Sequence, residues 1–317
     1  MQTFKQFERR ANKPFAEAAL RYLKEFDGKH KRTQALRLEA VVPYIGKTPL
    51  FLIDNEALKE YKEDRLKGRG AFKTPAKAGT VNSELGTVRA VMNKAFNEWR
   101  WVPGVPKIRN VKGATKVAHP LTLQEKNRIF SNLKPFYKDV FEFMLNTGVR
   151  CSELRGLKWE HMTPVPNGFV FILLDTKNGQ QRPVICNSVA QRVVNRQRDN
   201  GSEYVFCGQG SVTGKGYRGR IANLHGPWRA AWKAAGMPEG EFVMKGPHNL
   251  RHTFASWLDY CGVDRDDVSK LLGHHNADIT RHYSGNAFDR LIEAAERITD
   301  ASKLGHIVLL RAVPNTY

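Results

Sequence analysis

Cysteine is scarce. The 317 residues hold four, Cys151, Cys186, Cys207 and Cys261, and none forms a C-x-x-C pair. That spacing points to neither a zinc site nor a disulfide framework, and it fits a reducing intracellular location. Long apolar runs are missing as well. The first fifteen residues, MQTFKQFERRANKPF, contain no apolar stretch of the kind an export signal carries, and no window approaches the ~18 uninterrupted apolar residues of a spanning helix. A cytoplasmic protein without membrane partners is expected. Neither an internal repeat nor a low-complexity tract interrupts the chain, which argues against a solenoid or a fibrous protein.

Acidic residues are also in deficit: 31 Asp and Glu stand against 51 Lys and Arg, a formal net charge of +20 and a pI near 9.9. A polyanionic partner explains such an imbalance, because each phosphate neutralised releases condensed counterions. Hydrophobic residues make up 41% and charged residues 26%, the profile of a globular protein. The length accommodates two domains of ordinary size.

Residues 14 to 101 read as helices. PFAEAALRYLKEF places Phe15, Ala19, Leu20 and Leu23 at helical spacing, and VNSELGTVRAVMNKAFNEW does the same with Leu85, Val88, Val91, Met92 and Phe96, with Asn82 or Ser83 as its expected cap. PGVPKIRNVKGATKVAHP, between Pro103 and Pro120, has a linker composition and is basic. It suits either a phosphate backbone or a solvated tether. A second helical region opens at LTLQEKNRIFSNL, where Thr122 and Glu125 stand at capping-box spacing. The period then changes: FVFILLDTKNGQQRPVICNS predicts a β-hairpin near residues 168 to 186, turning at Asn178-Gly179. From GPWRAAWKAAGM the helical pattern returns and runs to about residue 298.

Three stretches carry chemistry. In LNTGVRCSELRGLKW an apolar helix stops at Thr147-Gly148 and another starts with Ser152 as the expected cap, so Arg150 falls in the turn between them, near a helix N-terminus that favours anions. In GPHNLRHTFASWLDYCG, a helix entered at Pro247 and ended at Gly262, His248 and Arg251 share one face, a proton-handling group beside a permanent cation. His252, one step round, is read as structural. VDRDDVSKLLGHHNADITRHYSG gives a helix capped at Asp264 and closed at Gly273, a turn bearing His274, and a short helix carrying Tyr283.

In this order, Arg150 in TGVRCSELRGLKW, Lys177 in TKNGQQRPV, His248 and Arg251 in HNLRH, His274 in LLGHH and Tyr283 nine positions on, the residues resemble the tyrosine recombinase, or phage integrase, family. The resemblance spans roughly residues 14 to 298. It implies a mainly α fold with a small antiparallel β-sheet, built from a helical core-binding domain and a mixed α/β catalytic domain. The corresponding boundaries are a short arm at 1–13, core-binding helices at 14–105, a basic linker at 106–118, the catalytic domain at 119–298 and a tail at 299–317 that docks on a neighbouring subunit or packs within its own chain. An arm that short implies a two-domain recombinase.

The family's chemistry needs no metal, cofactor or ATP. Arg150 and Arg251 would clamp the scissile phosphate, where charge gathers in the transition state. Tyr283 would attack it, leaving a 3′-phosphotyrosyl link and a free 5′-hydroxyl. By the same resemblance Lys177 donates a proton to the leaving oxygen, His248 assists proton movement at the tyrosine, His274 hydrogen-bonds a phosphate oxygen and Glu153 holds the Arg150 site in shape. His275 stands where relatives commonly carry a small residue, and neither it nor His282 is given a role. The implied partners are double-stranded DNA, further copies of the chain in a tetramer on DNA, and accessory DNA-bending or directionality proteins. A type IB topoisomerase, or a silent DNA-binding protein of the same fold, stands as the alternative.

Overall fold

A computed structural model describes residues 12–113, 116–175, 180–208, 219–240, 242–273 and 285–305. The chain divides into two compact units, Met1–Ala114 and Thr115–Tyr317. Each has its own core.

The first unit is helical. Helices α1 (Phe15–Glu25), α2 (Lys31–Ile45), α3 (Lys59–Lys67) and α4 (Ala78–Asn97) account for its regular structure among the described residues, beside one short 3-10 turn at Leu50–Leu52. On α1 the buried side chains are Phe15, Ala18, Ala19 and Tyr22, and on α4 they include Val81, Leu85, Val88, Met92 and Ala95. Both sets recur every three or four positions, so each helix offers one apolar stripe to a common interior. Leu20, which the spacing assigns to the core side of α1, is instead 61% exposed. One charged group enters this core: Glu84 is buried on α4, hydrogen-bonded by Tyr61 and held by Arg65 at 3.0 Å.

Helix α4 begins at Ala78, one turn earlier than the capping signal indicates. Asn82 therefore lies inside it, and its amide does something else. It donates to the Val111 carbonyl at 3.0 Å and accepts from the Val111 N–H at 2.8 Å. Asn55 repeats the arrangement, donating to Lys107 O at 2.7 Å and accepting from Arg109 N at 2.8 Å, while Arg89 donates to Ile108 O at 3.1 Å. A side-chain amide presents one donor face and one acceptor face, so it pairs with a peptide as a neighbouring strand would. Ile108 is buried in the same core. Residues 107–111, which have the composition of a tether, thus form a strap on the first unit. Lys107 and Arg109 stand exposed along it, and Lys112 stands exposed directly after it.

In the second unit α5 (Leu123–Ser131) starts with the capping box that Thr122 and Glu125 predict. Helix α6 (Pro135–Thr147) ends at Gly148, whose φ of 60° is left-handed, and α7 (Cys151–Arg155) follows after Val149 and Arg150. A three-stranded antiparallel sheet comes next: β1 (Met162–Val165), β2 (Gly168–Asp175) and β3 (Gln180–Ile185), in that order. The β2–β3 hairpin matches the change of period in the sequence, whereas β1 has no such signal. Helices α8 (Ser188–Arg196), α9 (His225–Ala234), α10 (Asn249–Tyr260), α11 (Arg265–Leu272), α12 (Gly285–Glu296) and α13 (Ala301–Leu304) complete the described helices.

Helix α10 is central to this unit. Leu250, Phe254, Trp257 and Leu258 are buried in the core, and the Trp257 indole donates to Leu121 O at 2.8 Å. The helix packs against α6 and α11, which brings the Gly148 turn, the face of α10 and the C-terminal end of α11 to one place. All four cysteines are free thiols, and no described helix is long and apolar enough to cross a membrane.

Candidate active site

The turn between α6 and α7 is shaped by two residues. Gly148 takes the left-handed conformation that closes α6, and a Cβ there would stand 2.5 Å from Phe254. Glycine is needed for both reasons. Val149 then plugs the core and Arg150 turns outward as the N-cap residue of α7. Ser152 is not the cap. Instead Glu153 reaches back, accepting from the Arg150 backbone N–H at 2.8 Å and from its guanidinium at 2.7 Å. The Arg150 side chain remains 40% exposed, against 19% for Glu153.

Arg251 is placed differently. Only 5% exposed, it projects from α10 into the junction and donates to Gly148 O at 2.6 Å and to Leu272 O at 2.5 Å. Those carbonyls are among the acceptors that helix C-termini leave unsatisfied. One guanidinium therefore ties the Arg150 turn to the end of α11, which closes at Gly273 with a φ of 63°.

A third arginine shares the site, one that motif order alone does not single out. Arg182 on β3 is 8% exposed and donates to Glu153 at 2.5 Å and to Leu272 O at 2.9 Å. Its signal in the sequence is an arginine heading the apolar run RPVIC in a strand.

The electrostatics follow from this crowding. Burial opposes ionisation of Glu153, yet the positive charge of Arg182 and the hydrogen bonds from Arg150 bring its carboxyl below the usual range. Burial, reinforced by repulsion from Arg182 and Arg150, pulls Arg251 down to about 9. It is still charged at neutral pH, but the protein around it holds too little negative charge. His248, just before α10, meets His252 edge to face at 5.1 Å. Partial desolvation, then the charges of His252, Arg251 and Arg150, lowers its pKa, although the ring keeps solvent-exposed surface. Three guanidiniums thus stand beside one carboxylate and an imidazole, and the planar forks of arginine suit phosphate oxygens.

Of the residues singled out from the sequence, Arg150, Glu153, His248 and Arg251 are thus brought together. Lys177, His274 and Tyr283, with His275 and His282, lie outside the described residues. Among the described residues no three His, Cys, Asp or Glu side chains are grouped to hold a metal ion.

Comparison with known proteins bears on the same region. A sequence model of the phage integrase family matches residues 119–290. The integrase of Salmonella phage P22 is 28% identical over 230 residues, covering 71% of this chain and 58% of the relative. The tyrosine recombinase XerC of Halalkalibacterium halodurans is 29% identical over 226 residues, covering 67% and 73%. The chain thus spans little more than half the length of the phage relative. Among solved structures, a lambda integrase dimer bound to a COC′ core site superposes with a TM-score of 0.62 at 14% identity, covering 92% of this chain and 81% of that one. A lambda integrase tetramer bound to a Holliday junction gives 0.62 at 17% identity, covering 84% and 79%. At such identities the likeness concerns the fold, which is the mainly α architecture with a small antiparallel sheet expected from the sequence.

Proposed function

The chain belongs to the phage integrase family, and from that premise we propose that it is a site-specific DNA recombinase that cuts and rejoins strands through a 3′-phosphotyrosyl intermediate. The observation that carries this reading is the gathering of three arginines around a single carboxylate, Arg150 and Arg182 paired with Glu153 and Arg251 held beside them by Gly148 O and Leu272 O, an excess of fixed positive charge at a half-open turn. The relatives' names, integrase and tyrosine recombinase, support it.

In this reading a scissile phosphate enters against Arg150, its charge met by Arg150 and Arg251. The clamp is preorganised, because Gly148, Glu153 and Leu272 already fix both guanidiniums. The Tyr283 oxygen bonds to phosphorus, the bond from phosphorus to the 5′-oxygen breaks, and Lys177 supplies the proton that makes a 5′-hydroxyl. His248, whose pKa is lowered by desolvation and by the neighbouring cations, offers a ring nitrogen for the tyrosine proton. His274 hydrogen-bonds a phosphate oxygen. The link conserves the energy of the broken bond, so a partner 5′-hydroxyl reverses the step without ATP.

Both units bind duplex DNA in this account, residues 14–105 as core-binding helices and 119–298 as the catalytic domain. The exposed cations of the strap lie along phosphates. Exchange takes place within a tetramer on DNA in the cytoplasm, as the Holliday-junction tetramer of lambda integrase suggests, with residues 299–317 contributing to assembly. Accessory DNA-bending or directionality proteins are further candidate partners.

The test uses a nicked duplex spanning the DNA that flanks the protein's own gene, in buffer containing EDTA and no ATP. Wild type is expected to form a protease-sensitive covalent adduct and Tyr283→Phe none. No adduct from wild type, or an adduct from Tyr283→Phe, overturns the reading.

A further inference from the structure

Arg182 does more than fill space. It lies on β3 opposite Leu173, with its side chain 10% exposed, and its two terminal nitrogens go to different acceptors. One donates to the Glu153 carboxylate at 2.5 Å and the other to Leu272 O at 2.9 Å, the carbonyl that also accepts from Arg251. Glu153 is thereby divided: Arg150 takes one carboxylate oxygen at 2.7 Å and Arg182 the other. The fit is close. A Cβ on Gly273 would overlap Arg182 Nε, so this turn admits only glycine while the arginine is in place.

The arrangement acts through its charge balance. A carboxylate paired with one arginine makes a neutral unit, and Arg150 so paired would have its pull on a phosphate largely cancelled. A carboxylate paired with two arginines leaves an excess positive charge, and the Arg182–Glu153 side of the pairing is buried enough to be screened little.

We infer that Arg182 is a positioning residue for the phosphate clamp: it anchors Glu153 as a strut for Arg150 while preventing that carboxylate from neutralising the clamp. Its planar fork bridges a carboxylate on α7 and a carbonyl on α11 at once, which the single ammonium of lysine does not reproduce. The inference rests on the strand-cleavage reading of the preceding subsection.

Full-length Arg182→Lys, Arg182→Met and the double variant Arg182→Met with Glu153→Gln test it. For each, thermal midpoint, affinity for the nicked duplex at fixed salt and the single-turnover rate of adduct formation at saturating DNA are measured. Arg182→Lys is expected to slow adduct formation about tenfold and Arg182→Met about a hundredfold, the same range as for outer partners that orient metal ligands. DNA affinity should move by less than about threefold, because binding is dominated by many other phosphate contacts. Adding Glu153→Gln to Arg182→Met removes the uncompensated carboxylate and should recover at least about tenfold of the rate, which repair of packing would not do. An unchanged rate in Arg182→Met overturns the inference. So does a loss that follows the folded fraction and that Glu153→Gln leaves unrepaired. Failure of wild type to form any adduct would instead refute the recombinase reading itself.

Discussion

Three glycines of the second unit share a left-handed backbone and differ in what surrounds them, so alanine at each separates strain from contact. Gly262 has φ 71° and nothing within 4 Å of where an alanine methyl would stand, Gly148 has φ 60° with Phe254 at 2.5 Å from that point, and Gly273 has φ 63° with the Arg182 side chain occupying it. Gly262→Ala should cost only the left-handed conformation, about 1 kcal/mol. Gly148→Ala adds overpacking against a fully buried ring, bringing the cost to about 2–4 kcal/mol. Gly273→Ala must displace the Arg182 guanidinium from Glu153 and Leu272 O, and charged hydrogen bonds are worth about 1.5–3 kcal/mol each, so a total of about 4 kcal/mol or more is expected. For a unit of this size about 2–4 °C of Tm accompanies each kcal/mol, so the three variants should fall roughly 3, 9 and more than 10 °C below wild type. Scanning calorimetry of the full chain reads this order. A double-mutant cycle sharpens it: in an Arg182→Ala background the obstructing Cδ and Nε are gone, and Gly273→Ala should cost no more than about 2 kcal/mol. Equal losses for Gly262→Ala and Gly273→Ala would refute the contact that places Arg182 in the site.

Other consequences are independent of that series. Burial depresses the pKa values of both His248 and His252, so the unfolded chain binds their protons more readily. Stability from these two groups is full above their ordinary pKa of about 6.5 and falls as pH drops below it, and Tm measured from pH 8 to 5 should decline less steeply in His252→Gln than in wild type. Asn82→Ala removes both bonds to Val111, roughly 1 kcal/mol each, and should speed limited proteolysis within residues 107–113, with wild-type cleavage rates counting against the strap. Replacing Lys107, Arg109 and Lys112 together by Gln should lower the slope of log affinity against log salt by about 2.7 if all three meet phosphates, and leave it unchanged if they are only solvated.

The parts of the fold that are legible in the sequence are those decided locally. Thr122 and Glu125 lie three residues apart and satisfy each other, and Gly148 and Gly273 end their helices by their own conformational freedom. The β2–β3 hairpin is visible through its change of period. What the sequence conceals depends on distant partners. Asn82 carries a capping side chain, but its peptide partner lies 29 residues away; the tether sequence is ordered by Asn55, Asn82 and Arg89 from elsewhere in the unit. Strand β1, four residues with a proline, is too short to show a period. Ser152 loses the cap position because Glu153 serves the Arg150 backbone directly. In the site, Arg150, His248 and Arg251 can be named from motif order and chemistry. Arg182 cannot, since its role arises only when β3, α7 and the end of α11 meet.

The central claim is a covalent bond between Tyr283 and DNA, and its most direct measurement is the mass of the linked peptide. Adduct trapped on the nicked duplex, digested with nuclease and trypsin, should yield residues 282–290, HYSGNAFDR, carrying a nucleotide 3′-phosphate on Tyr283, the single tyrosine of that peptide. Attachment at any other residue, or recovery of only the unmodified peptide from adduct-containing samples, would contradict the account.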